Sequence, residues 1–376
     1  MKIAVNVRFL LEDRMEGIAR FNYETLRRIV KDHPEDEFYF FFDRPYSDKF
    51  IFGTNVKPIV LYPPTRHPLL IAFWLEFRIK KYLNKLKPDV FLSGDTYIPL
   101  NPGVKTVIVS HDLAFLHFPE HMKFSDRVYY NYFFPKFHGK ADKIIAVSEF
   151  TKKDIIKHYK IEGSKIEVVH NAANGHFYSI AENEKIMYQN LLTGGKPYFV
   201  YLGSIHPRKN VVNLIKAFEI FKKNSGSDHC LAIIGRPAWK TTEFYSTLNK
   251  SAYKESIITK QIDRSELQGY IGSAEALFYV SFFEGFGIPI LEGFEAGVPV
   301  VTSVSSSMPE VAGDAALLVD PDSPEEIADA MQQLVKKPEL GSSLIQKGSE
   351  RLNAFSWDES AAKIYKILKD TINHTN

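Results

Sequence analysis

A chain of 376 residues, 45% of them apolar, is long enough for two cores of ordinary domain size rather than one. Its 47 Lys and Arg nearly balance 45 Asp and Glu, and a formal charge of +2 excludes a general field for attracting nucleic acid. The single cysteine, Cys230, excludes a disulfide framework and suits a reducing, cytoplasmic compartment, and no apolar run approaches the roughly 20 residues of a membrane span.

In chain order, short β-branched or aromatic runs alternate with helix-length amphipathic segments, the pattern of parallel sheets covered by helices on both faces. "MKIAVNVRFL" alternates and carries charge early, so it reads as a first strand and not as the core of a signal peptide. Further strands are predicted at "EFYFFF", "KPIVLY", "DVFLSG", "KTVIVSH", "KIIAVS" and "KIEVVHN", which makes one doubly wound α/β domain. Between "KPIVLY" and "DVFLSG" lies 66–87, with six Lys or Arg against one Glu and a helical stripe of Ile71, Leu75, Ile79, Leu83 and Leu86. Two uses of that stripe stay open: covering the sheet, or lying on an anionic membrane as a peripheral contact at its inner face.

The polar stretch from Asn174 to Lys196 lacks a period and reads as an interdomain connection. A second series follows at "YFVYLGS", "HCLAIIG", "SIITKQ", "ALFYVSF", "PVVTSV" and "ALLVD". The expected division is 1–180, 190–356 and a last helix over 357–376 that could pack back on either domain, in particular the N-terminal one. Cys230, inside "HCLAIIG", reads as a core residue.

Open parallel sheets bind ligands beyond the carboxyl ends of their strands, so two such sheets lead to a cleft between domains as the expected site. The loop after "ALFYVS" continues as "EGFGIPILEGFEAG", Glu284 to Gly297. Gly285 and Gly287 permit backbone angles and close approaches that a side chain blocks, and Pro289 suits a first helical turn. The amides of Gly285, Phe286, Gly287 and Ile288 can therefore face a ligand, and the helix start favours an anion there. Glu292, about one turn in, can reach hydroxyl groups. Taken alone, the two glutamates also read as a simple helix cap with solvated side chains.

The spacing of Glu284, seven residues, and Glu292 around "GFGIP" resembles the signature of retaining glycosyltransferases of family 4, which have the GT-B architecture of two facing Rossmann-like domains. Other segments resemble that family in the same order: "EGIARF", "SHDLAFLHFPE", "IIAVSEFTKKDI", "VVHNAAN", "YLGSIHPRKNVVNLIKAF" and "SSSMPEVAGDAALLVDPDSPEEIADAM". Together they span nearly the whole chain.

The resemblance implies a hexose moved from a nucleotide diphosphate sugar to a glycan or lipid-linked acceptor, as in cell-surface polysaccharide synthesis. The N-terminal domain would take the acceptor and the C-terminal one the donor. GDP-mannose is favoured through likeness to mannosyltransferases, with glucose, galactose, fucose or an N-acetylated sugar left open. A departing diphosphate needs cations and backbone donors in place, which Arg208 and Lys209 in "HPRKN" supply. The family often has Arg directly after the strand's glycine, where this chain has Ser204. Glu292 would hold the donor ribose, Glu284 would lie near the transferred sugar, and Gly17 would let the first domain approach the phosphates. His111 in "SHDL" would stand near the reacting sugar and acceptor, with Asp112 orienting its loop. Ser148, Glu149 and Asn174 match positions taken as architectural.

No cofactor is expected and no metal site is read. The Asp-x-Asp spacing of "DPD" at Asp320 to Asp322 introduces a helix and is better taken as a turn. Other enzymes of the same architecture, a glycan phosphorylase or a nucleotide-sugar epimerase, stay open, as does a nucleotide-sugar-binding protein without turnover. A nicotinamide dehydrogenase is disfavoured, because "RFLLEDRMEGIAR" has no G-x-G-x-x-G.

Overall fold

The computed structural model describes residues 1–12, 15, 17–173 and 175–373, so Glu16 and Asn174 of the quoted motifs lie outside the described residues. The chain divides into two compact units, one of Met1–Asn171 with Ser356–Asn376, the other of Ala172–Phe355.

In the first unit β1 (Lys2–Asn6), β2 (Glu37–Phe42), β3 (Val56–Val60), β4 (Val90–Ser93), β5 (Lys105–Ser110), β6 (Lys143–Ala146) and β7 (Ile166–Val168) form a sheet in the order β3-β2-β1-β4-β5-β6-β7. In the second, β8 (Tyr198–Leu202), β9 (Cys230–Ile234), β10 (Ile257–Lys260), β11 (Ala276–Tyr279), β12 (Val300–Ser303) and β13 (Ala316–Val319) follow the order β10-β9-β8-β11-β12-β13. All neighbours are parallel. Each strand segment read from the sequence forms, because continuous apolar runs such as Ile3–Val5 and Leu231–Ile233, 0% exposed, suit strands covered on both faces. Cys230 is buried in β9. The strand order reverses at β1/β4 and at β8/β11, and such switch points open a crevice beyond the carboxyl ends.

The last helix, Trp357–Asn373, belongs to the first unit and packs along the helix Ile18–Asp32. Trp357 meets Phe21 edge-on at 6.0 Å, Arg28 pairs with Asp358, and Ser360 donates to the His170 carbonyl at 2.8 Å.

Segment 66–87 is helical from Pro68 to Leu86, with a wide π turn over Trp74–Ile79 in which the consecutive Trp74 and Leu75 both face the core. The stripe read from sequence is taken up by packing: Leu75, Ile79 and Leu83 are core residues, and Ile71 and Leu86 pack against them. Among the described residues no helix is long and apolar enough to cross a membrane.

His138 gives this core a pH dependence. It is 0% exposed, its Nδ1–H donates to the Phe134 carbonyl at 2.7 Å, and its Nε2 accepts from Ser110 at 3.1 Å. Burial pushes its pKa down to about 4, so the folded state resists a proton that the unfolded chain accepts near 6.5. Stability is therefore expected to fall as pH drops from about 6.5 towards 4. Urea unfolding at stepped pH should show a flatter dependence in His138→Gln than in the natural chain.

Candidate active site

Beyond β8 the chain turns through Pro207–Lys209, and beyond β11 it runs through Ser281–Gly287 into the helix Ile288–Glu295. Phe282 N–H donates to the Arg208 carbonyl at 2.9 Å, which joins the two loops. Asn210 fixes the first of them. It adopts φ +60°, and its amide donates to the carbonyls of Val280 at 2.9 Å and Pro321 at 2.7 Å.

On this frame both cations converge on one carboxylate. Arg208 donates to Glu284 Oε2 at 3.1 Å and to the Phe283 carbonyl, and Lys209 Nζ donates to Glu284 Oε1 and to the Tyr279 hydroxyl, each at 2.6 Å. Glu284 is 7% exposed. Burial alone would raise its carboxyl, but the charges of Arg208 and Lys209 together with the Lys209 hydrogen bond outweigh it and hold the pKa at about 2. Ser306 and Ser307 brace the backbone: Glu284 N–H donates to Ser306 Oγ at 2.9 Å, and Ser307 Oγ donates to the carbonyls of Glu284 at 2.8 Å and Phe286 at 2.9 Å.

Gly287 caps the helix at φ +109°, a conformation a side chain adopts only under strain. The Phe286 ring is buried edge-on against Phe355 at 5.6 Å, which leaves its backbone as the part a ligand could use. Glu292 is buried too, with the Arg264 guanidinium 3.4 Å from Oε1. With two cations and one carboxylate in contact, the loops keep one net positive charge at a switch point, beside a helix start. That arrangement suits a polyanion.

In the first unit His111 follows β5. Its Nε2–H donates to the Gly94 carbonyl at 2.9 Å, and Phe21 meets the ring edge-on at 5.3 Å. Burial lowers its pKa, which favours the neutral ring with Nδ1 as an acceptor. The same Gly94 carbonyl accepts from Asn22 at 3.1 Å, so it links His111 to the helix that Gly17 starts. Gly17 sits at φ +50° and ψ −112°, a backbone conformation that favours glycine, and among the described residues nothing lies within 4 Å of an added Cβ. Asp112 accepts from Ala114 N–H at 3.0 Å and shapes the loop, and Ser148 caps the helix Glu149–Tyr159.

Sequence reasoning missed several residues. Asn210 stood inside "HPRKN" and Ser306 and Ser307 inside "SSSMPEVAGDAALLVDPDSPEEIADAM" without a role, and Tyr279 and Arg264 carried no local signal. At the β1/β4 switch point Arg8 pairs with Asp95 at 2.6 Å, both buried, and Asn6 and Ser93 each donate to Asp95 Oδ1 at 2.8 Å. Nothing in either segment alone announces that network. Among the described residues, His117, Asp154 and His158 have ligand-type atoms within 4.8 Å of one another, and both imidazoles lie against the Asp154 carboxylate, at 2.8 and 3.3 Å.

Residues 182–351 match the family described as Glycosyl transferases group 1, and residues 15–174 match Glycosyltransferase Family 4. The O-antigen chain mannosyltransferase B of Escherichia coli is 24% identical over 372 residues, covering 94% of this chain and 97% of that protein. Among solved structures, a sucrose-phosphate synthase from Thermosynechococcus elongatus superposes with a TM-score of 0.78 at 16% identity, covering 100% of both chains. Anabaena HepE in complex with UDP-glucose does so with a TM-score of 0.75 at 15% identity, covering 98% of this chain and 100% of that one. These structures share the fold of two parallel-sheet, Rossmann-like domains.

Proposed function

Because this chain belongs to glycosyltransferase family 4, with the GT-B fold, we propose that it moves mannose from GDP-mannose to a glycan or lipid-linked acceptor in cell-surface polysaccharide synthesis. One observation carries the donor site: Arg208 and Lys209 meet on Glu284 beside the glycine-shaped start of the helix Ile288–Glu295. Such a pair of cations, set before any ligand arrives, can hold a diphosphate and stabilise the charge that grows on it as the glycosidic bond breaks. Likeness to the E. coli mannosyltransferase supports the choice of sugar.

Arg208 and Lys209 then bind the diphosphate, the backbone of Gly285–Ile288 the sugar and its distal phosphate, and Glu292 the ribose hydroxyls. Glu284 holds both cations in place. His111, through Nδ1, accepts a hydrogen bond from a hydroxyl of the sugar or acceptor. The segment 1–180 serves the acceptor and 190–356 the donor. The departing phosphate takes the acceptor proton on the face it leaves, which retains configuration without a metal ion and without a glycosyl-enzyme intermediate.

Thermal unfolding with GDP-mannose and with UDP-glucose tests the donor. A ligand at 100 times its dissociation constant adds about 2.7 kcal/mol, and that gain is expected with GDP-mannose. A gain with UDP-glucose alone would reassign the donor. Failure of any glycan or lipid-linked acceptor to release nucleotide would remove the transfer reading.

A further inference from the structure

Three side chains of the first unit that the transfer reading leaves unused converge on one point. His117 ends the short helix Ala114–His117, and Asp154 and His158 stand one turn apart on the helix Glu149–Tyr159. Residues four apart on a helix share a face, so the second pair is spaced as a chelate. Both imidazoles turn Nε2 to the same carboxylate. His117 Nε2 lies 3.0 Å from Asp154 Oδ1 and 2.8 Å from Oδ2, and His158 Nε2 lies 3.3 Å from Oδ1. The two rings meet edge-on at 5.4 Å, and the three residues offer one ligand atom each, all within 4.8 Å of one another.

Charge pairing accounts for one of these imidazoles. The Asp154 side chain is only 5% exposed, and a buried carboxylate needs a donor, which His117 supplies. That need does not call for a second ring from the next helical turn. A tetrahedral divalent ion does. With bonds of about 2.0–2.1 Å to nitrogen and about 2.0–2.2 Å to oxygen, neighbouring ligand atoms stand about 3.3 Å apart, so the observed 2.8 and 3.3 Å require shifts of about half an ångström or less. Two imidazoles and one carboxylate suit zinc, whereas magnesium and calcium take oxygen donors. The His117 side chain is 27% exposed and that of His158 32%, so an ion can enter from solvent and water can fill a fourth position.

We propose that His117, Asp154 and His158 bind one zinc ion, which clamps the short helix Ala114–His117 to the helix Glu149–Tyr159. Each ring then ligates through Nε2 and carries its proton on Nδ1, and the carboxylate supplies the one anionic ligand. The clamp bears on the loop after β5. Asp112 accepts from Ala114 N–H at 3.0 Å, so the turn held at His117 continues directly from the segment that carries His111. The site is built within the first unit, whereas Arg208, Lys209 and Glu284 belong to the second, and the ion takes no part in transfer. The inference goes beyond the transfer reading and involves neither donor nor acceptor.

Calorimetric titration of the chelator-stripped full chain with zinc chloride tests it without substrate. One equivalent is expected to bind, and magnesium chloride should give no comparable binding. His158→Ala should lower the affinity by more than about 100-fold, since losing even an outer partner of a metal ligand typically costs about 10–100-fold. Its ring stands partly in solvent, so circular dichroism should not change. Asp154→Asn, which keeps the shape of the side chain, should lower the affinity as well. His67→Ala, at an exposed histidine outside the cluster, should leave it unchanged. Amide hydrogen exchange over 114–118 should slow when zinc is added to the natural chain, and not in His158→Ala. Absence of saturable zinc binding would overturn the proposal. So would binding that His158→Ala leaves intact, an outcome that assigns the ion to other histidines and leaves His117 and Asp154 a plain hydrogen-bonded pair. Zinc binding with unchanged exchange over 114–118 would overturn the clamp.

Discussion

Arg208→Ala and Lys209→Ala are each expected to lower kcat on the order of 100-fold, the usual cost of removing one charge set in advance against a developing anion. The effect on stability should be small for either variant alone, because Glu284 keeps one of its two cations, at 3.1 Å or 2.6 Å. Removing both leaves a carboxylate only 7% exposed without a counter-charge. A buried ion pair broken on one side typically costs about 3–5 kcal/mol. The double variant should therefore lose more stability than the two single variants combined, and Glu284→Gln added to it should restore most of that loss. Steady-state kinetics and urea unfolding of the four proteins check both parts. Single variants with unchanged kinetics would remove the diphosphate role.

Glu284→Gln carries the second large expectation, again in kcat. The carboxylate grips Lys209 and Arg208 from its two oxygens, so its loss frees both cations from the geometry in which a phosphate would find them. It also removes the negative charge that offsets them. Donor KM should therefore rise little or fall while kcat drops by about tenfold or more, the pattern of an interaction that matters mainly in the transition state. Glu292→Gln should behave the other way and raise donor KM.

The pH profile separates these groups. With its pKa held at about 2, Glu284 stays ionised through the working range and gives the rate no limb there. Its stabilising contribution is fully present above the ordinary carboxylate value and is lost only as pH falls towards 2. His111, lowered by burial, protonates below its usual value of about 6.5 and then loses the Nδ1 acceptor. An acid limb in kcat that disappears in His111→Ala is the expected result.

The strands were legible because parallel strands buried on both faces leave continuous apolar runs, and the glycines of "EGFGIP" marked the loop that follows β11. What the sequence withheld was pairing at long range. Lys209 and Glu284 are 75 residues apart and meet because β8 and β11 are neighbours, an adjacency that no local pattern states. For the same reason the pairing of Arg8 with Asp95 across β1 and β4 went unread. In 66–87 the helical period was clear, but two stripes compete on that helix. Trp74 and Leu75, brought inward together by the π turn, give the core one face and leave Leu69, Phe73 and Phe77 on the other. Gly17 was legible as a loop glycine, and its φ of +50° adds a backbone reason for it.

The most direct measurement of the central claim is the anomeric configuration of the product formed from GDP-mannose, read by NMR, with intact-protein mass spectrometry during turnover. Transfer guided by a phosphate held on Arg208 and Lys209 should give an α-mannoside, as in the donor, with no mannosylated protein at any time. A β-mannoside, or a kinetically competent mannosyl adduct on Glu284, would contradict it.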